Sequence, residues 1–416
     1  MKKSHTALVL ILSLLFINTL FAQKMTITTN SKEALAAFNE SYDHFLNLRN
    51  QQIAAAADKA LAADPNFAMA LMMKSVTTAG DAGMEILTKA TEQKVTKEET
   101  HYLKACVMSR KQNNNSAIAV LQKLATKVPD DERVLTFLAA LQLQEGDYEG
   151  ALANFTKAEK IVPGLPYAVQ NKAGILITDG KYADARDNYK KLIKNMDADA
   201  SPFLPFFGTA WTYLYEDEPA AALEMIDEYL ARYNRNGAAQ GFPPVWIWNH
   251  KGRINLESGN LDEAMRCYET GYKSVQPSQI DSTQKLLYLG RLHHGRARTL
   301  AKMGKTDEAW SIAENLKKMI EDGGEQAEQY WPRYYYLAGY VKLEAGDYKD
   351  AISLLKQSDK NNAFHGVLLA RAYYKVGDSD NARTAYQKVA DNKRNSVERA
   401  LAYPEAQKML AKLGTN

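Results

Sequence analysis

Arginines and flat aromatic side chains recur at matched spacing through the second half of the chain, a pattern suited to holding an anion. Trp246, Asn249, Arg253 and Leu256 are three, four and three residues apart, which places them on one helical face beside Gly252. The same offsets around Ala210 give Leu204, Phe207, Trp211 and Leu214, and around Ala297 they give Arg291, His294, Arg298 and Ala301. Around Gly339 they give Arg333, Tyr336, Tyr340 and Leu343, and around Ala370 they give Phe364, Val367, Arg371 and Tyr374. No acidic residue falls among the sixteen positions around Ala210, Ala297, Gly339 and Ala370. Guanidinium groups bind carboxylates through paired hydrogen bonds, and Tyr and Trp add rigid surfaces with polar edges. The expected ligand is an extended, acidic or carboxyl-terminal segment of a protein partner. Its expected contacts are Trp211, Trp246, Asn249, Arg253, Arg291, His294, Arg298, Arg333, Tyr336, Tyr340, Arg371 and Tyr374. An anionic small molecule or a glycan is the second class that fits, and a hydrolase using the same surface as a cleft is the third. The plainer account pairs these arginines with acids on neighbouring helices and uses the aromatics as packing.

Motifs for bond-breaking chemistry are absent. The chain has no HExxH, GxSxG, GxxxxGKS/T or CxxC. Of seven histidines only His293 and His294 adjoin, and neighbouring helical positions point about 100° apart, too divergent to chelate one metal together. The expectation is a non-enzymatic binding protein without metal or cofactor.

The elements that position these residues are legible as a repeat. EGDYEGALANFTKAEKIVP (145–163) aligns with DGKYADARDNYKKLIK (179–194): Gly146 with Gly180, Tyr148 with Tyr182, Ala151 with Ala185 and Phe155 with Tyr189, every offset being 34 residues. Small residues also pair at an interval of twelve: Ala105 with Ala117, Ala139 with Ala151, Ala173 with Ala185, Ala210 with Ala222, Gly252 with Ala264, Ala297 with Ala309, Gly339 with Ala351 and Ala370 with Ala382. Between most partners lies a Gly–Asp, Gly–Lys or Gly–Asn step, which ends one helix in a left-handed cap and opens the next. Each unit thus reads as two antiparallel helices crossing at their small residues.

These residues resemble the tetratricopeptide repeat family, whose pattern places a Trp, a Gly, an Ala, an aromatic and a Pro over about 34 residues. Trp248, Gly252, Ala264 and Tyr268 carry the likeness in one unit, and Ala151, Phe155, Ala158 and Pro163 in another. The resemblance implies an all-α, right-handed solenoid of about nine helix pairs, with second helices outside and first helices lining a concave trough. Some family members hold a partner's terminal carboxylate in such a trough, although their Lys and Asn set is not reproduced here. The expected organisation is degenerate repeats over 23–95, with Ala70 and Ala82 as one small-residue pair, regular repeats over 96–391 and a capping helix over 392–416. Exposed loops are expected at Asn234–Pro244, Ser278–Thr283 and Glu321–Glu325.

Lys2 and Lys3 precede an apolar run from Ala7 to Phe16 and a stretch ending at Ala22, the pattern of a secretory leader over 1–22. Export to the periplasm or beyond, in a Gram-negative bacterium, is the expectation. The formal charge is +3, and loss of Lys2 and Lys3 lowers it further, which argues against general attraction to nucleic acid. Two cysteines, Cys106 and Cys267, fall in separate helical segments and read as small buried hydrophobes.

Overall fold

The structure is a computed structural model that describes residues 23–196, 203–236, 244–275 and 282–414. The expected leader lies outside the described residues, as do 237–243 and 278–281 of the expected loops. All regular structure among the described residues is helical, and the chain divides into two compact units between Ala168 and Val169. That division falls inside the repeat region expected over 96–391.

The first unit contains α1 (Lys32–Leu46), α2 (Asn50–Ala63), α3 (Ala68–Val76), α4 (Gly80–Thr91), α5 (Lys97–Arg110), α6 (Asn114–Ala125), α7 (Glu132–Gln144), α8 (Tyr148–Ile161) and the start of α9 (Pro166–Thr178). Consecutive helices pack as pairs: α1 on α2, α3 on α4, α5 on α6 and α7 on α8. Their starts are fixed by side-chain caps: Ser31 for α1, Thr96 with Glu99 in a reciprocal capping box for α5, Asp131 for α7 and Asp147 for α8. Residues 23–31 precede the first helix and bind across these helix ends. Met25 donates its N–H to Asp131 at 2.8 Å, and Thr28 donates its N–H to Glu99 at 2.9 Å. Asp131 and Glu99 are both fully buried, and Asp131 also accepts from Arg133.

The second unit takes in the rest of α9, then α10 (Tyr182–Asn195), α11 (Phe203–Tyr215), α12 (Pro219–Asn236), α13 (Val245–Glu257), α14 (Leu261–Lys273), α15 (Ser282–Lys302), α16 (Thr306–Asp322), α17 (Trp331–Glu344), α18 (Tyr348–Leu355), α19 (Ala363–Lys375), α20 (Ser379–Asp391) and α21 (Val397–Gly414). The segment expected as a loop at Glu321–Glu325 is mostly helical, because α16 runs on to Asp322 and a 3₁₀ helix, Gly324–Tyr330, leads straight into α17.

The twelve-residue pairs are the crossing points of this packing. Every member is buried, the alanines with no exposed surface. At Gly339 a Cβ would lie 2.6 Å from the Leu355 side chain, so only a residue without one lets α17 and α18 approach this closely. The looser first repeats depart from the rule: Ala70 is buried, but Ala82 is exposed and the neighbouring Gly83 is buried in its place. Left-handed turn positions are glycine at Gly146 and Gly377, whereas Gln112 and Asp217 adopt the same conformation with side chains, at φ 60° and 61°. The turns at Gln112 and Asp217 therefore carry no glycine signal.

In the second unit the first helices of successive pairs touch one another, α13 on α15, α15 on α17 and α17 on α19. The capping helix expected over 392–416 forms as α21, and it does more than cover the last pair. It packs on α19 and α20 and also returns to α11 and α13. Arg399 on α21 is 2% exposed and donates to the Tyr215 hydroxyl at 3.0 Å, and Asn395 donates to the Gly174 carbonyl at 2.6 Å. The open trough expected along the C-terminal repeats is thereby crossed by the chain's own last helix.

Candidate functional site

Residues of α11, α13, α14, α15, α16, the 3₁₀ turn, α17, α19 and the start of α21 line an open cavity of 1380 Å³. Each wall is built by the local logic of its helix. Gly295 on α15 has no Cβ, and one there would lie 2.3 Å from the Tyr268 ring. Tyr268 can therefore lie flat against α15, where its hydroxyl accepts from Arg298 at 3.2 Å. Arg298 also donates to the Tyr336 hydroxyl at 3.0 Å and to the His294 carbonyl at 3.0 Å. Burial alone would lower the pKa of Arg298, but Tyr268, Tyr336, Tyr340 and Glu257 outweigh it and hold the guanidinium charged.

Tyr336 lies near-parallel to two imidazoles, His365 at 4.0 Å between ring centroids and 11° between planes, and His294 at 5.9 Å and 13°. Burial, with nearby arginines adding to it, pushes His294 well below the ordinary histidine range and takes His365 down to about 3. His250, buried beside Arg253 and Arg291, is lowered to about 4. All three imidazoles are neutral at pH 7, so the positive charge of the wall comes from arginine.

Arg291 lies over the face of Trp246, its guanidinium carbon 3.6 Å from the ring centroid, with no carboxylate partner among the described residues. Burial and then the neighbouring Arg333 lower its pKa to about 10. Arg253 pairs with Glu398 at 2.7 Å through one nitrogen and sits over the Phe364 ring at 4.6 Å. Burial would raise the Glu398 carboxyl, but Arg253 and the amino end of α21 bring it down to about 2. Arg333, exposed, lies over Tyr330 at the mouth, where exposed Arg394 joins it. Across the whole lining, five arginines face two carboxylates, Asp359 and Glu398.

Residues 102–166, 247–274 and 367–396 each match a model of the tetratricopeptide repeat. The chain carries tetratricopeptide repeats. Repeats of this kind typically serve as protein-interaction scaffolds. Among solved structures, this repeat chain is similar to a tetratricopeptide repeat protein from Parabacteroides merdae, at 17% identity, covering 77% of this chain and 99% of that one with a TM-score of 0.46. It is also similar to yeast Tom70, at 12% identity, 93% and 90% coverage and a TM-score of 0.43. The Cut9–Hcn1 hetero-tetramer of the APC/C matches at 15% identity, 97% and 79% coverage and a TM-score of 0.38. No curated protein matches the chain.

The repeats bring nine of the expected contacts to the one cavity: Trp211, Trp246, Asn249, Arg253, Arg291, His294, Arg298, Arg333 and Tyr336. Three others lie elsewhere. Tyr340 is fully buried, with its hydroxyl 3.4 Å from Glu257, because the helical stripe turns inward one turn beyond Tyr336. Arg371 forms a forked pair with Glu405 of α21, and the Tyr374 hydroxyl accepts from Lys412 of the same helix at 2.8 Å. Residues not read from the sequence include His250, Tyr268, His365 and Glu398. His250 and His365 sit one position after Asn249 and Phe364, within the about 100° that one step on a helix covers. Glu398 had no signal, since nothing local says that α21 folds back.

Proposed function

We propose that this protein is a non-enzymatic scaffold that captures an acidic segment of a partner protein in the arginine-lined cavity of its second unit. The observation that carries this reading is the charge of the lining: five arginines against two carboxylates, with the histidines neutral. Like charges gathered at a partly dry site are costly unless an anion joins them. The bound segment is short, because α21 crosses the surface that an extended peptide would follow. Export is part of the same proposal, supported by the leader pattern over 1–22, and is checked by cell fractionation with intact mass of the recovered chain.

The binding test is isothermal titration of a glutamate-rich peptide and its glutamine counterpart into wild type and into Arg291→Glu/Arg333→Glu. The acidic peptide binds wild type and loses at least tenfold in the double variant. Equal binding of the glutamine peptide, or an unaffected double variant, overturns the proposal.

A further inference from the structure

The polar atoms in the cavity wall that lack a protein partner are predominantly hydrogen-bond donors. Trp211 Nε1, Asn249 Nδ2, Arg253 Nε and Nη2, and Arg291 Nε are all buried without one. Trp211 is 7% exposed, so its indole N–H is set in packed surroundings, with Phe203 against its ring. A tryptophan N–H and a guanidinium N–H can only donate. Each buried donor left without an acceptor costs about 1–3 kcal/mol, and a native fold seldom keeps several in one wall without use.

These donors come from three helices, and all four residues line the same cavity. Trp211 is on α11, Asn249 and Arg253 are one turn apart on α13, and Arg291 is on α15. Two of the four residues are neutral, so the patch asks for acceptor atoms as well as negative charge. The group that supplies both is an oxyanion, whose several oxygens accept from donors converging on it from different sides.

We propose that Trp211, Asn249, Arg253 and Arg291 form an oxyanion-binding site for a compact carboxylate, phosphate or sulfate group. This rests on the cavity being a binding site, and it adds the recognition chemistry: the neutral donors Trp211 and Asn249 read acceptor oxygens, while the arginines supply charge. The oxyanion belongs either to a free small molecule or to a side chain or end of a partner, and the two sources are separable by experiment.

The probes are inorganic phosphate, inorganic sulfate, citrate and a glutamate-rich peptide, titrated calorimetrically at constant ionic strength into the full chain. Variants are Trp211→Phe, which removes one N–H and little volume, Asn249→Leu, and Arg291→Met. Thermal midpoints without probe confirm that each variant is folded. At least one probe binds wild type, losing about tenfold in Trp211→Phe, as expected for one hydrogen bond to a charged group, and more in Arg291→Met. Binding unchanged in both Trp211→Phe and Asn249→Leu overturns the site even if acidic peptides bind, since charge alone would then account for capture. Failure of every probe overturns it as well. If free oxyanions bind with this dependence and the peptide does not, the oxyanion site stands and the partner-segment reading falls.

Discussion

Glu398 is a half-buried carboxylate paired with an arginine of the cavity wall, and replacing it by glutamine isolates what that pair contributes. Its pKa of about 2 against an ordinary 4.5 corresponds to about 3 kcal/mol favouring the charged form in the folded state. The Glu398 side chain is 27% exposed and Arg253 14%, so solvent screening trims the expected effect to about 2 kcal/mol. The folded pKa lies below the unfolded one, so this stability is fully present above about pH 5 and disappears as pH falls through the range toward 2. Urea unfolding of wild type and Glu398→Gln, followed by circular dichroism at pH 7, 5, 4 and 3, gives the difference directly. The gap is about 2 kcal/mol at pH 7 and falls to about half of that or less by pH 3, where the unfolded carboxyl is protonated while the native one, with its pKa of about 2, is still mostly ionised. In Arg253→Met the same glutamine substitution has little further effect. A gap that is independent of pH, or one that survives in Arg253→Met, refutes the claim that the pair stabilises α21 in place.

Removing the buried carboxylate of Asp131 leaves the Met25 N–H without an acceptor and the Arg133 guanidinium with only the Met25 carbonyl and no counter-charge at that position, so Asp131→Ala loses about 3–5 kcal/mol in urea unfolding of the first unit, and a loss under 1 contradicts its role. Gly295→Ala drives a methyl into the Tyr268 ring and costs about 1–3 kcal/mol by thermal unfolding, whereas a neutral result means that α14 and α15 can move apart. Burial pushes the thiol of Cys267, which has no exposed surface, up to about 12, so it reacts with a disulfide reagent at pH 8 only after denaturation; rapid native labelling argues against that burial.

The repeat was legible because it is enforced by contact: a bulkier residue at Ala105, Ala151 or Gly339 has no room, so the small-residue interval is written into each crossing. Turn chemistry was legible where glycine supplies the left-handed residue and silent where Gln112 and Asp217 do. The lining was legible from Trp211 to Tyr336 because those residues repeat one offset along parallel neighbours. At Tyr340, Arg371 and Tyr374 the offset held while the surroundings changed, since α21 covers Arg371 and Tyr374 and Tyr340 turns into the core. A periodicity argument sees which residues share a face, not what later part of the chain comes to rest on it.

The return of α21 changes how the second unit must assemble. Stacked repeats ordinarily fold by adding neighbour to neighbour, so they can fray one at a time from an end. Here Arg399 meets Tyr215 across 184 residues and Asn395 meets Gly174 across 221, contacts that form only once the last helix has left the ribosome. High contact order of this kind slows the final step of folding and couples loss of the carboxyl-terminal helix to loosening of helices made far earlier. Proteolytic trimming of a few terminal residues would then be felt throughout that unit as a drop in cooperativity.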